Sequence, residues 1–555
     1  MRERKELYVV PVESVSADRE PQSTLPVTPQ QREVWVESQM GDDASCAYNQ
    51  CFVLHLRGPL SLASMQSALD QVIARHAALR TSFDKSGDKQ RILPSRAVTI
   101  IFEDLSAIEP AQQQAAFERI IDREATEAFN LATDPLLRAK VLRFSADVHR
   151  LVVTVHHIVC DGWSSSVLFS DLAKSYEADC FGLEPQLAEP MSYETYVQDL
   201  VDKSTDTADE DYWLAQLTGE LPNLDLPNDH KRPALRSRSG SRQDIRIDAD
   251  LYKRIKAVGA GRGATMFHTL LAAFEVLMFR LSGQDDIVLG IPLAGQSELD
   301  NSHLVAHCVA TMPLRCHVDP AATFGDFLKS VRKTFLAGQQ HPNVTFSSLL
   351  PKLNIERDAS RPTLVSVVFN IDRIGAPFEF GDLTLERLET PKRFVTFDLN
   401  VNVVDNGAEL TVECEYNSDI LKAGTVQRWL EHFHALLSAL TRDPETSLAA
   451  LDILGDDERR RIFAVGAGAD VPLPSTQVIH RLFEQQVDLT PDAEAIIADD
   501  IRLTYRDLDQ RANKLAHYLQ SRGAKPGEII GVCLPRNADL VATLLAVIKT
   551  GACYV

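Results

Sequence analysis

From about residue 25 to residue 455 the apolar and polar positions alternate between two spacings. "NQCFVLHLRG" and "HRLVVTVHH" are short runs rich in β-branched and apolar residues, and each predicts a strand. In "SLASMQSALDQVIARHAALR" the spacing changes: Leu62, Met65, Leu69, Val72 and Ile73 recur every three or four residues, as on one face of a helix. "SSSVLFSDLAKSYEADC" predicts the helix after the second strand, with a serine available as its cap. A second mixed half starts near Thr207. Its helix "ATMFHTLLAAFEVLMFRLSG" is apolar almost all round, which predicts burial between layers, and Gly283 stands where a C-terminal stop belongs. "DIVLGIPL", "PTLVSVVFNI" and "TFDLNVNVV" predict strands, and "AGTVQRWLEHFHALLSALTRD" a helix after them. The pattern predicts two α/β lobes of about 200 residues each.

Periodicity lapses on either side of this span. Residues 1–24, with the polar, Pro-containing "ADREPQSTLP" at their end, predict a linker or docking tail. "GDDERRRIFAVGAGADVPLPST" combines charge, Gly and Pro without a period, so 456–478 are assigned as a linker. From residue 479 a further α/β unit opens and reaches Val555 inside an apolar run, so the chain reads as cut there. The divisions expected are 1–24, 25–200 as a first lobe, 201–455 as a second, 456–478, and 479–555.

Charge and cysteine usage narrow the function classes. A formal net charge of -21 argues against a nucleic-acid partner, whose phosphates demand a basic face. The most apolar helix-like run, Met266 to Leu281, is short and carries His268, Glu275 and Arg280, so no membrane span is expected. The N-terminus lacks the apolar core of a signal segment, and the expected location is cytoplasmic. Nine cysteines without a CxxC predict neither a disulfide framework nor a zinc ribbon.

The candidate chemistry lies in "LVVTVHHIVCDGWSSSVLF" (151–169). Neighbours on a strand face opposite sides, so one of His156 and His157 at most can face a given cleft. Asp161 and Gly162 turn into a helix whose first N–H groups are free. A histidine above that turn can act as a base, with backbone donors near a developing oxyanion. Packing plus one surface residue is the plain alternative. A metal site would need further ligands at suitable spacing, and none is evident, so no metal is expected. No serine or cysteine stands in a nucleophile-elbow context.

"HHIVCDG" resembles the HHxxxDG signature of the condensation domains of nonribosomal peptide synthetases. In family order, "VTPQQREVW", "RHAALRTSF", "FNLATDPLLRAKVLRF", "DYWLAQLTGELPNLDLPNDHKRP", "RLSGQDDIVLGIPLAGQ" and "HLVAHCVATMPLR" resemble further stretches of that family, over roughly 25–455. Beyond Ile479, "LTYRDLDQRANKLAHYLQSRG" and "LLAVIKTGACYV" are similar to the beginning of an adenylation domain. The phosphate loop of adenylating enzymes and a carrier-protein serine motif are missing from this sequence, so it is not expected to activate amino acids by itself.

The resemblance implies an α/β fold of two chloramphenicol-acetyltransferase-like lobes in a V-shaped pseudo-dimer, followed by a partial α/β adenylation-domain fragment. It implies amide-bond formation between an acyl or peptidyl thioester on an upstream carrier protein and the α-amino group of an aminoacyl thioester on a downstream carrier. The phosphopantetheine arms of those partners carry the substrates, no cofactor is intrinsic, and a full adenylation domain follows in cis. The arms meet in a tunnel at His157, which orients the amine and takes its proton, while His156 packs on the other side. Asp161 holds the turn through an arginine ion pair, with Arg80 of "RHAALRTSF" as the family's partner and Arg75 as its competitor. Gly162 leaves space for a thioester arm. Trp163 and Ser164 serve packing and helix capping. The loop near Gly295 to His307 resembles the floor of the tunnel. The intact histidines and the Gly after Asp161 depart from epimerising and heterocyclising relatives, and "HHIVCDGWS" with "AHCVATMPLR" resembles domains taking a polyketide or other acyl donor. Two rival readings are a catalytically silent recruitment module and a free-standing acyltransferase using coenzyme A thioesters. The intact motif speaks against the first, the adenylation-like tail against the second.

Overall fold

The computed structural model describes residues 21–555 apart from 204–206, 299–302, 344, 354, 356–357, 374–377, 470, 473–477 and 499. The chain divides into two units, Met1–Glu458 and Arg459–Val555.

The first unit is built on two large sheets. One runs in the order Thr384–Leu388, Asn49–Arg57, Val148–His156, Leu137–Ser145 and Ile101–Asp104. Its pairs are antiparallel except the last, in which Ile101–Asp104 lies parallel to Leu137–Ser145. Val148–His156 is central, and both of its faces are covered, which explains its unbroken apolar run. Leu151, Val153 and Val155 pack with Met65, Leu69, Leu168 and Leu172 of two helices, Leu62–Arg75 and Gly162–Phe181. On the other face Val152 packs with Ile120 and Ile121 of the helix Pro110–Thr126.

The second sheet is six-stranded, in the order Val309–His317, Asp286–Ala294, Val367–Arg373, Leu399–Asp405, Leu410–Asn417 and Gly240–Ile247. The helices Met266–Ser282 and Ala423–Arg442 supply much of its core. Met266–Ser282 starts at a Thr265 capping box with His268 and stops at Gly283, whose φ of 72° suits a residue without a side chain. Every residue from His268 to Met278 is buried, Glu275 included.

Four expected boundaries need correction. Thr384–Leu388 lies in the second half of the sequence yet pairs with Asn49–Arg57 in the first sheet, from Thr384 opposite Arg57 to Leu388 opposite Val53. Leu304, Val305, Ala306 and Cys308 likewise join the core of the first half, so a cut at 200/201 does not separate two packing units. The tail expected at 1–24 is too long: Ser23–Pro26 pairs with Lys89–Ile92, while residues 1–20 lie outside the described residues. Within "PTLVSVVFNI" the strand begins only at Val367, because Leu364 turns the backbone with a φ of 71°. The expected linker at 456–478 contains a helix, Asp456–Gly466, whose first turn holds Asp456, Asp457 and Glu458, charges that suit a helix N-terminus.

The second unit contains the helices Ile479–Leu489, Tyr505–Ser521 and Ala538–Lys549, an antiparallel pair Glu494–Ala498 with Ile501–Thr504, and a parallel pair Ile529–Ile530 with Cys553–Tyr554. Lys549 ties its helices together, bonding Glu484 at 2.5 Å and Asp509 at 2.9 Å. Among the described residues no helix is long and apolar enough to cross a membrane.

Candidate active site

The strand Val148–His156 ends as the chain turns through His157–Asp161 into the helix Gly162–Phe181. His157 N–H still donates to the Tyr48 carbonyl at 2.9 Å, and Val159 N–H closes the turn onto the His156 carbonyl at 3.1 Å. The two histidines part company here. His156 is fully buried, with ring centroids 6.1 Å from Tyr48 and 5.9 Å from Phe129. Its Nδ1 accepts the Ile158 N–H at 3.3 Å, and burial pushes its pKa down to about 3, so it packs as a neutral ring. His157 is half-buried and faces His307. Their Nδ1 atoms lie 3.1 Å apart, with ring planes at 84°. Burial lowers the His157 pKa, and the Asp161 carboxylate opposes that shift. His307 is buried and its pKa lies well below the usual range, first from burial and then from the neighbouring His157 and His156.

Asp161 is the N-cap of the helix and is sealed from solvent. Its Oδ1 accepts the Ser164 N–H at 2.8 Å, Gln296 Nε2 donates to both carboxylate oxygens at 3.0 Å, and Cys308 N–H reaches Oδ2 at 2.9 Å. The expected arginine partner is therefore wrong. Arg80 donates to the Leu93 carbonyl and to Gln22 Oε1 at 3.2 Å. Arg75 lies 3.4 Å from Asp171 and 3.9 Å from Glu189, and His76 bonds the same Asp171 at 3.0 Å. The basic stretch docks on a carboxylate further along the motif helix, and neutral N–H groups hold Asp161 instead.

Ser164 and Trp163 also differ from expectation. Ser164 presents its N–H to the cap rather than capping the helix, and its buried Oγ donates to the Ala306 carbonyl at 2.7 Å and accepts the Ala306 N–H at 3.0 Å. Trp163 is 40% exposed rather than part of the core. Gly162 is exposed, and a Cβ added there would meet nothing within 4 Å.

The motif is thus clasped by the segment after the strand Asp286–Ala294. Gln296, Ala306, His307 and Cys308 touch Asp161, Ser164 and His157. Gly295 lets the two limbs of that segment close, since a Cβ there would stand 2.7 Å from the Cys308 carbonyl oxygen. Gln296 and His307 were not singled out as site residues, although both lie within the stretch Gly295 to His307 expected to form the floor. They lie 135 and 150 residues from their partners, beyond any local spacing rule. Cys160 and Cys308 flank the site, but burial raises both thiols well above their usual range, which disfavours thiolate chemistry. Among the described residues no three His, Cys, Asp or Glu side chains converge as metal ligands.

A family model described as condensation domain matches residues 21–463, and one described as AMP-binding enzyme matches 483–555. A linear gramicidin synthase protein of Brevibacillus parabrevis is 31% identical over 540 residues, covering 96% of this chain and 11% of that protein. Surfactin synthase subunit 2 of Bacillus subtilis (strain 168) is 32% identical over 535 residues, 96% of this chain and 14% of that protein. The chain therefore spans a small part of the curated relatives it matches. A crystal structure of a four-domain nonribosomal peptide synthetase bound to AMP and glycine shares the fold, with a TM-score of 0.81 and 22% identity over 98% of this chain and 42% of that one. The first condensation domain of the CDA synthetase gives a TM-score of 0.65 and 20% identity over 79% of this chain and all of that one.

Proposed function

Because this chain belongs to the condensation-domain family of nonribosomal peptide synthetases, enzymes that form amide bonds by acyl transfer, we propose that His157 is the residue at which its two substrates meet. An acyl or peptidyl thioester on an upstream carrier's phosphopantetheine arm meets the α-amino group of an aminoacyl thioester on a downstream carrier. The amine nitrogen attacks the thioester carbonyl, the C–N bond forms, the C–S bond breaks, and the proton lost by nitrogen ends on the departing thiol. The observation that supports this reading is a half-buried imidazole at the end of a turn whose Asp161 carboxylate is held by Ser164, Gln296 and Cys308.

Magnitudes divide the labour. An α-amino group has a pKa of roughly 7.7–8.0, so supplying the free amine near pH 7 costs only about 1 kcal/mol. Orientation of two tethered reactants can contribute up to roughly 7–11 kcal/mol, against about 10²–10⁴-fold from acid–base help. His157 therefore acts first by holding the amine and second by taking its proton, with the Asp161 charge favouring the imidazolium that results. Asp161 with Gln296, Ala306 and Cys308 keeps the turn in place. Gly162 leaves room for an arm. The donor is proposed to be a polyketide or other acyl chain, on the likeness of "HHIVCDGWS" and "AHCVATMPLR".

The test is intact-mass detection of acyl transfer between separately loaded donor and acceptor carriers, with wild type and His157→Ala in parallel. Product with wild type and a loss of at least about 10²-fold in the variant are expected. Equal transfer by both would remove His157 from the chemistry. No product with any carrier-bound donor would point to a recruitment module, or to a coenzyme A-dependent acyltransferase if those thioesters turn over.

A further inference from the structure

We propose that Arg236 and Arg238 form a binding site for a carboxylate carried on one of the two thioester substrates, and so select an acidic acyl or aminoacyl group. The inference rests on the amide-forming reading above and names a substrate class for it.

The helix Pro29–Ser38 ends against the second half of the sequence. Glu37, in its last turn, accepts a hydrogen bond from Arg238 Nη2, and Arg236 Nη1 lies 3.5 Å from the same carboxylate oxygen. Arg238 Nη2 also lies 3.8 Å from Met40 Sδ. From there the chain runs through the short helix Asp42–Cys46 to Tyr48. The Tyr48 carbonyl accepts the His157 N–H at 2.9 Å, and the two ring centroids are 6.4 Å apart. The arginines are tied to the same place from the other side. The Arg238 carbonyl accepts the Val395 N–H at 2.9 Å, and Gly240 N–H donates to the Arg393 carbonyl at 2.7 Å. Earlier in that segment, the Thr390 hydroxyl donates to the carbonyl of Cys51, three residues from Tyr48, at 3.1 Å. The pair thus stands where the two halves of the sequence join, with Tyr48 between it and His157 along the chain.

Two guanidiniums share one carboxylate here. Asp398 serves Arg232, which donates to its two oxygens at 3.1 and 2.7 Å. Glu33, one turn earlier on the helix, accepts the Ser347 N–H at 2.8 Å. Tyr48 keeps its proton, because burial raises its pKa. The end of the helix offsets part of the second positive charge. It leaves one donor open all the same: Arg238 is only 8% exposed, and its buried Nη1 has no partner among the described residues. A buried charged donor without an acceptor is strongly unfavourable. A planar fork with one arm engaged and the other free is shaped to receive a carboxylate oxygen. The phosphate of a phosphopantetheine arm does not suit this place, since it lies at the opposite end of the arm from the thioester. A carboxylate on the substrate itself does.

The probes are two matched pairs of aminopantetheine amides, in which a stable amide replaces the thioester. Glutaryl against its terminal amide represents the donor, and glutamyl against glutaminyl the acceptor. Each is titrated by calorimetry into the full chain, with no carrier protein and no transfer. Wild type should bind the carboxylate member of at least one pair about 10-fold or more tightly than its amide, and that pair identifies the substrate that carries the acid. Arg238→Gln should remove the preference, and Arg236→Gln should reduce it. Equal binding within both pairs, or no binding of any probe, overturns the proposal whether or not a variant folds. So does a preference that survives in folded Arg238→Gln, or one unchanged in Arg236→Gln. Failure of wild type to transfer from carrier-bound donors counts instead against the amide-forming reading, because the titrations need no transfer.

Discussion

Two carboxyl groups in this molecule are sealed from solvent and held in opposite ways. Asp161, at the end of the first sheet, accepts four contacts from three N–H donors that come from the motif helix, Gln296 and Cys308. Glu275, in the middle of the helix Met266–Ser282, receives only the Cys316 thiol at 3.2 Å, and its Oε1 has no partner among the described residues. Burial pushes Glu275 up to about 8. The contrast shows that burial alone does not say what a carboxyl does. Asp161 is an acceptor around which distant segments are pinned, and its neighbours are donors. Glu275 is a carboxyl placed in an apolar core with one weak donor, so it is kept protonated across the neutral range.

The largest effect expected from this contrast is a pH dependence at Glu275. The folded chain holds this proton more tightly than the unfolded one, whose carboxyl titrates near 4.5. The stability it allows is fully present below that value and falls as pH rises toward about 8. The ceiling on the loss is about 5 kcal/mol. In urea titrations, wild type should weaken between pH 5 and pH 9 relative to Glu275→Gln, which cannot titrate. A gap between the two that does not change with pH would show that Glu275 is ionised in the fold, and the contrast with Asp161 would collapse.

Removing the other carboxylate should cost roughly 3–5 kcal/mol, because Asp161→Ala strands three buried donors at once. Asp161→Asn should cost less, about 1–3 kcal/mol. Gln296 can turn its unpartnered Oε1 toward the new amide, which leaves a single N–H opposed. Faster hydrogen exchange at the Ser164 and Cys308 amides in both variants would localise the damage to the clasp. Protection unchanged at those amides would mean that Asp161 is not what joins them.

Local rules made the strand end, the turn and the motif helix legible, because a β-rich run, an Asp-Gly and a polar cap sit within a dozen residues. They also marked the core helix and its Gly283 stop. What they could not reach were partners. The resemblance gave Asp161 an arginine partner, yet Arg80 bonds the Leu93 carbonyl and Arg75 lies beside Asp171, about three helical turns along. The true partners of Asp161 are two backbone amides and a glutamine, which carry no compositional signal. The strand Thr384–Leu388 escaped notice because "TLERL" is short and carries charge, as edge strands do. The helix Asp456–Gly466 was hidden by the Gly- and Pro-rich residues that follow it.

The smallest change in stability should come from a residue with a large proposed effect on transfer. Gly162 opens the motif helix, its φ is not left-handed, and a side chain there would project into open space. Glycine is thus not needed for the backbone or the packing, and Gly162→Leu should raise stability slightly, by no more than about 0.5–1 kcal/mol. Transfer should nevertheless fall at least about 10-fold, since a branched side chain would occupy the space assigned to a thioester arm; 10-fold corresponds to about 1.36 kcal/mol in the barrier. Gly162→Ala, smaller by three carbons, should lie between wild type and the leucine variant in transfer while melting like both. Opposite signs in the two measurements would tie Gly162 to access rather than architecture. Full transfer by a folded Gly162→Leu would place the arm elsewhere, and Asp161 would then organise the turn for His157 alone.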